Sequence, residues 1–327
     1  MLDMLDEYGT YSLLRGLSRA SIEAHFSRFR LFAEWCAERG IDLAAPTAAD
    51  MQSYIQYLHE RTSHHTGRPL SVNTIRKHVD FLKVFGTYLI ETGRAKENPA
   101  AGLTRPKSPK RVPHSYSADQ VRVILKELHA MTGSSTRRKM QIAAFIFLIL
   151  DTGLRISEAL HLRPCDIDFH GRMLRVIGKG DRERVIPFGT VTRELLKQVI
   201  SMCQVGPEDY IWRSPRTGKP FTSAAVRNTL RILRRRLHEQ HNISIPVRPH
   251  IFRHTFARNW IVGGGDQFSL MRILGHTSTA MTNHYVRLWS DDLRRKHDAV
   301  SPAEKMGIGD LITPKDDETW LTTNSSN

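Results

Sequence analysis

Cysteine is scarce in this 327-residue chain: Cys36, Cys165 and Cys203 are odd in number, widely separated and form no C-x-x-C pair. That pattern excludes a disulfide framework and a thiolate zinc site, and all three are expected to be reduced structural thiols. Long apolar runs are also lacking. The longest, Ile142 to Leu150, falls far short of the roughly 20 residues that cross a bilayer, so it predicts a buried helix and no membrane partner. The N-terminal stretch Met1-Leu2-Asp3-Met4-Leu5-Asp6-Glu7 is acidic and has neither the positive nor the apolar segment of a secretory signal, which predicts a cytoplasmic protein. A nucleotide-binding G-x-x-x-x-G-K-[ST] loop and an H-E-x-x-H zinc helix are both missing. No internal repeat and no low-complexity tract is visible.

Positive charge is plentiful. Lys and Arg number 48 against 33 Asp and Glu, a formal net charge of +15 with a pI near 10, and such a balance points to a polyanionic partner. With 40% hydrophobic residues the chain can build real cores, and its length suits two domains of roughly 100 to 200 residues each. Helical signals fill the first 100 residues. Ser18 is placed to cap a helix with Ile22, Phe26, Phe29 and Ala33 on one face, ending near Gly40; Thr47 and Asp50 form a capping box ahead of Met51, Tyr54, Ile55 and Leu58; Ser71 opens a third helix through Ile75, Val79, Leu82, Phe85 and Leu89. Residues 1–100 therefore predict a small all-helical domain.

Prolines 106, 109 and 113 then deny regular structure to residues 101–113, whose charges are all positive. The segment predicts an extended linker that lies along phosphates, with Arg105, Lys107, Lys110 and Arg111 as candidate DNA contacts. Residues 114–300 predict a second domain: a helix capped by Ser117 and Gln120, the buried 142–150 helix, and a β-hairpin from Arg172–Ile177 and Glu183–Phe188 with Lys179 near its glycine-flanked tip. Helical signals return from about Ser223. Arg227, Arg231, Arg234, Arg235 and Arg236 crowd one such stretch, which is either a DNA-facing helix or a solvated face; Arg231 and Arg235 are the candidate DNA contacts. The fold class expected is mainly α with one small β-hairpin or sheet.

The chemistry gathers in the second domain. Arg155 stands in Asp151-Thr152-Gly153-Leu154-Arg155-Ile156-Ser157-Glu158, Arg253 in His250-Ile251-Phe252-Arg253-His254, and Leu274-Gly275-His276 is followed by Tyr285. Paired guanidiniums are suited to the negative charge of a phosphodiester transition state, because each donates parallel hydrogen bonds. A tyrosine hydroxyl can serve as nucleophile if a neighbour such as His250 takes its proton. Lys179 can protonate the departing 5′ oxygen. His254 is expected to be a buried support, and Glu158 to hold an arginine or a histidine by hydrogen bond. His250 and His254 lie four apart, but Arg253 between them repels a cation, so no metal site is expected.

The order and spacing of these residues resemble the tyrosine recombinase, or phage integrase, family. Residue by residue, that family's pattern falls on Arg155, Lys179, His250, Arg253, His276 and Tyr285. The resemblance implies a two-domain DNA clamp, with a helical (SAM-like) core-DNA-binding domain ahead of the catalytic domain. It also implies cutting and rejoining of DNA through a 3′-phosphotyrosyl bond, without metal, ATP or other cofactor. The implied partners are double-stranded DNA with specific recombination sites and a homotetramer on two duplexes, with an accessory DNA-bending or directionality factor a further candidate and a nucleoid-associated location. An extra arm-binding module is not expected, which favours a simple Xer-like or mobile-element integrase. The tail, residues 301–327, carries Met306, Ile308, Leu311 and Ile312 and is expected to dock on a neighbouring subunit. Two other readings stay open on sequence alone: a type IB topoisomerase that relaxes DNA, and a non-catalytic DNA-binding regulator.

Overall fold

The structure, a computed structural model, describes residues 2–63, 67–107, 114–131, 136–178, 182–214, 216–276, 297 and 301. The chain divides into two compact units, Met1–Lys110 and Arg111–Asn327.

Four helices build the described part of the first unit: α1 (Leu2–Leu14), α2 (Arg19–Glu38), α3 (Ala48–Glu60) and α4 (Val72–Glu91). The caps are those the sequence predicts. Ser18 and Ser71 accept from the backbone N–H groups of Ser21 and Thr74, and Thr47 and Asp50 cap each other reciprocally. The core is aromatic: Tyr8, Phe29, Phe32, Tyr54, Phe81, Phe85 and Tyr88 are all fully buried. Tyr8 reaches it from α1, a helix the sequence reading did not predict. Ala100 and Leu103 are also part of this core, so the backbone after Pro99 is still anchored in the first unit. Cys36 is buried as expected and burial pushes its thiol up to about 12. Cys165, in the second unit, is exposed, so a structural thiol role does not extend to it.

The second unit is organised around α6 (Thr136–Thr152), preceded by α5 (Ala118–Ala130). Ile142, Phe145, Ile146, Leu148 and Ile149 of α6 are all buried, the expectation for a helix apolar on every side. After the single turn α7 (Ile156–Leu160), strands β1 (Ile167–Asp168), β2 (Met173–Ile177) and β3 (Glu183–Pro187) form an antiparallel sheet in the order β1-β2-β3. The hairpin is as predicted, and β1 adds a strand. Leu174 and Val176 on β2 and Ile186 on β3 face inward, so the period of two also turns Arg184 to that inner face, opposite Val176. Helices α8 (Thr190–Cys203), α9 (Ser223–His241), α10 (Pro249–Val262) and α11 (Gln267–Leu274) complete the described unit. Both α8 and α10 pack against α6, and α11 packs against β3 and α10.

Candidate active site

Arg253 lies on the buried side of α10, with only 5% of its surface exposed. A buried guanidinium needs acceptors, and the chain supplies backbone carbonyls. Nη1 donates to Gly153 O at 2.6 Å and Nη2 to Leu274 O at 2.7 Å. Gly153 is required here twice over. Its φ is +65°, and a Cβ would lie 2.4 Å from the Phe256 ring, so any side chain would displace the carbonyl that holds Arg253.

Two residues further along the chain, Arg155 precedes α7. Its backbone N–H and its Nη1 both donate to Glu158, each at 2.8 Å, and its Nη2 donates to Gly275 O at 3.2 Å. The Glu158 side chain is 4% exposed and simultaneously receives both terminal nitrogens of Arg184, at 3.0 and 2.8 Å. Burial alone would raise the Glu158 carboxyl. The hydrogen bonds from Arg184 and from the Arg155 backbone, together with the charge of Arg184, outweigh it and hold the group below the usual carboxylate range. The glutamate thus holds an arginine, as the sequence predicts, but it holds two.

The end of α11 joins these groups. Its last carbonyls have no partner within the helix, and three consecutive ones accept from three different arginines: Ile273 O from Arg184 Nε at 2.9 Å, Leu274 O from Arg253, and Gly275 O from Arg155. Cations at a helix C-terminus are favoured by the macrodipole as well. Gly275 takes the left-handed conformation that ends the helix, and a Cβ there would sit 3.0 Å from the Arg184 guanidinium carbon. His276 follows at once, its Nε2 3.1 Å from Arg253 Nη2. A guanidinium only donates, so this nitrogen accepts and the ring proton is on Nδ1. Burial, then the charges of Arg253, Arg155 and Arg184, push the imidazole down to about 4.

His250, the second residue of α10, is held below its ordinary value by partial desolvation of its ring and by the charges of Arg253, Arg227 and Arg155. It is therefore neutral at neutral pH. His254 is half-buried and contributes its charge to the downward push on His276. Lys179 and Tyr285 lie outside the described residues, as do Lys110 and Arg111 of the basic linker. The structure accordingly brings Arg155, Glu158, Arg253 and His276 together, with His250 in electrostatic range, and adds Arg184, which the sequence reading missed.

Beside this cluster is a cavity of about 310 Å³ lined by Ile156, Arg227, Arg231, Arg234, Arg248 and His250 among others. Arg227, Arg231 and Arg234 recur at i, i+4 and i+7 and share one face of α9. Among the described residues none of these three, nor Arg248, is paired with a carboxylate. By contrast Arg235 lies 3.8 Å from Glu239, and Arg236 is held by the buried Glu127. A second cavity, about 710 Å³, borders Arg155 and has both signs of charge in its wall, Arg163 and Arg175 beside Glu158, Asp166 and Glu208. In the first unit Arg105 is ion-paired with Asp80, whereas Lys107 is exposed. No group of three or more His, Cys, Asp and Glu able to hold a metal occurs among the described residues.

Comparison with known proteins adds three findings. Residues 115–291 match the model of the phage integrase family. Among curated proteins, the chain is 31% identical over 269 residues to the tyrosine recombinase XerC of Azotobacter vinelandii, covering 82% of this chain and 85% of that one. It is 27% identical over 289 residues to XerC of Xylella fastidiosa, covering 88% and 92%. Among solved structures, the Tn1549 transposon integrase in complex with a circular intermediate DNA superposes with a TM-score of 0.68 at 20% identity, over 90% of this chain and 99% of that one. A lambda integrase dimer bound to a core site gives 0.64 at 19% identity, over 86% and 96%.

Proposed function

The chain belongs to the phage integrase family and is a site-specific tyrosine recombinase, an enzyme that cleaves and rejoins DNA, and from that premise we propose that Arg155, Arg253, His276, His250, Lys179 and Tyr285 form its active site. The arginine cluster at the end of α11 carries this reading: guanidiniums fixed in advance by backbone carbonyls and one carboxylate can receive a phosphodiester without reorganising.

In the reaction proposed, the Tyr285 oxygen attacks the scissile phosphorus and its proton passes to His250, whose neutral state suits it as acceptor. The bond between phosphorus and the 5′ oxygen breaks, Lys179 protonates that oxygen, and a 3′-phosphotyrosyl link keeps the energy of the broken bond. Arg155 and Arg253 bear on the charge of the non-bridging oxygens, and neither ATP nor a metal takes part. Attack by a 5′ hydroxyl reverses the steps and rejoins the strand.

DNA is further proposed to pass over the arginine-lined face of α9, with Arg231 as a phosphate contact and Arg227, Arg234 and Arg248 beside it. Arg235 and Arg105 each have a carboxylate partner, which weakens both as phosphate contacts, and Lys107, Lys110 and Arg111 complete the proposed linker contacts. The solved relatives bound to DNA support this partner. Finer parts of the proposal are a homotetramer on two duplexes with residues 301–327 passed to a neighbour, an accessory DNA-bending or directionality factor, the division into a 1–100 DNA-binding and a 114–300 catalytic domain, a cytoplasmic, nucleoid-associated location, and action on a mobile element or in Xer-like resolution. No helix among the described residues is long and apolar enough to cross a membrane.

The test is a nicked suicide substrate carrying the recombination site. Wild-type protein is expected to form an SDS-stable adduct with DNA, and Tyr285→Phe to bind the site with unchanged affinity yet form none. An adduct formed by Tyr285→Phe would mean the nucleophile is another residue.

A further inference from the structure

An arginine on the inner face of a three-stranded sheet is out of place. The inward neighbours of Arg184 are apolar, Leu174, Val176 and Ile186, and its side chain is only 13% exposed. Each of its three guanidinium nitrogens already donates within the protein: Nε to Ile273 O, Nη1 and Nη2 to the two oxygens of Glu158. Three of its five N–H donors are thus committed to Glu158 and the end of α11, although an apolar residue at this strand position would have served the core. What the arginine contributes is its position beside Glu158.

Glu158 has two tasks that conflict. It aims Arg155, taking that residue's backbone N–H and its Nη1. Yet a buried carboxylate paired with one guanidinium makes a neutral unit, and a neutral unit has little attraction for a phosphate. With Arg184 on its other side, the set of one carboxylate and two guanidiniums keeps a net charge of +1. Arg155 is the more exposed of the two arginines, 29% against 13%, so the retained charge is presented where solvent or substrate can reach it. The contact with Ile273 O fixes Arg184 against the α11 end, one residue before the carbonyl that holds Arg253 and three before His276.

We propose that Arg184 is a positioning residue for DNA cleavage: it neutralises Glu158, so that this carboxylate orients Arg155 without cancelling the charge Arg155 brings to the scissile phosphate. The inference rests on the reading of Arg155 as a phosphate-binding group.

Single-turnover cleavage by the full-length protein tests it with two substrates, one with a normal scissile phosphodiester and one with a methylphosphonate there, in which a methyl group replaces a non-bridging oxygen and removes the charge. Arg184→Met is expected to slow cleavage of the phosphodiester by about 10- to 100-fold and of the neutral methylphosphonate by less than about threefold. Arg184→Lys, which keeps the charge, should retain the wild-type ratio of the two rates. Adding Glu158→Gln to Arg184→Met removes the uncompensated carboxylate and should recover at least about tenfold on the phosphodiester. DNA affinity and circular dichroism check that each variant is folded. Should Arg184→Met not fold, the double variant decides: phosphodiester cleavage within about tenfold of wild type supports the inference, and slower cleavage overturns it. Equal losses on both substrates, or no gain from Glu158→Gln, would also overturn it, since a merely structural arginine would give either. An Arg155→Ala protein that cleaves normally would remove the reading beneath the inference, whereas an inactive Arg155→Ala beside a fully active Arg184→Met would remove the inference alone.

Discussion

Acidification should destabilise the catalytic unit through His276, and the structure sets the range in which it does so. The ring is partly buried, and charged or titratable groups face it from several elements: Arg253 and His254 on α10, Arg155 ahead of α7, and Arg184 on β3. Burial and these charges take the imidazole from 6.5 to about 4 in the folded state. Because the folded value is the lower one, the unfolded chain binds the proton first as pH falls. The stability at stake is complete above about pH 6.5, declines between 6.5 and 4, and declines no further below 4. At about 1.4 kcal/mol per pH unit, the full interval corresponds to about 3.5 kcal/mol. Partial exposure of the ring to screening solvent reduces this to about 2 kcal/mol. Urea denaturation of wild type and His276→Gln at pH 7.5 and 4.5 isolates the contribution, since the variant keeps an acceptor for Arg253 but cannot titrate. Wild type should lose about 1.5 kcal/mol more than the variant between these conditions, since pH 4.5 stops short of the full interval, and the ring proton resonances of His276 should titrate near pH 4. Titration at pH 6 or above, or equal losses in the two proteins, would refute the argument.

The arginine face of α9 gives a second expectation. Replacing Arg227, Arg231 and Arg234 by alanine should weaken binding to any DNA sequence and lower the slope of log affinity against log salt by about 1 for each phosphate contact removed, whereas Arg235→Ala should change little; equal effects from Arg235 would remove the distinction drawn from their carboxylate partners. Lys179→Ala should cleave ordinary DNA about 10²- to 10⁴-fold more slowly, and a substrate with sulfur at the bridging 5′ position should largely rescue it, because the thiolate leaves without a proton. The same defect on both substrates would take the acid role from Lys179.

Helix starts were legible in the sequence, since a cap is a local contract between residues three apart: Ser18, Thr47, Ser71 and Ser117 each cap the helix they announce. The hairpin was legible for the same reason, from its period of two. Helix α1 was not, because Leu2–Leu14 has no capping residue before it and its burial depends on Tyr8 meeting aromatic rings from α2 and α4. Nor was α8, whose N-cap is Gly189, stabilised through Asp151 of a distant helix. The five arginines of α9 could not be sorted by sequence, for the difference between Arg234 and Arg236 is the buried Glu127, more than a hundred positions away.

Arg184 marks the boundary between these cases. Its signal was present: once Leu174, Val176 and Ile186 are assigned to the inner face, the alternation in Glu183-Arg184-Val185-Ile186 turns the arginine inward too. A buried arginine obliges a buried acceptor, and Glu158 was already singled out as a residue that holds an arginine. What the sequence could not supply was the end of α11, where consecutive carbonyls at 273, 274 and 275 distribute three guanidiniums. A helix C-terminus has no side-chain signature for remote cations, only the glycine that ends it. The position of Gly275 ahead of His276 therefore does more than stop a helix. It lets one short stretch of backbone set the spacing of Arg155, Arg184 and Arg253, so that side chains from three separate elements are held in register by a single rigid edge before any substrate arrives.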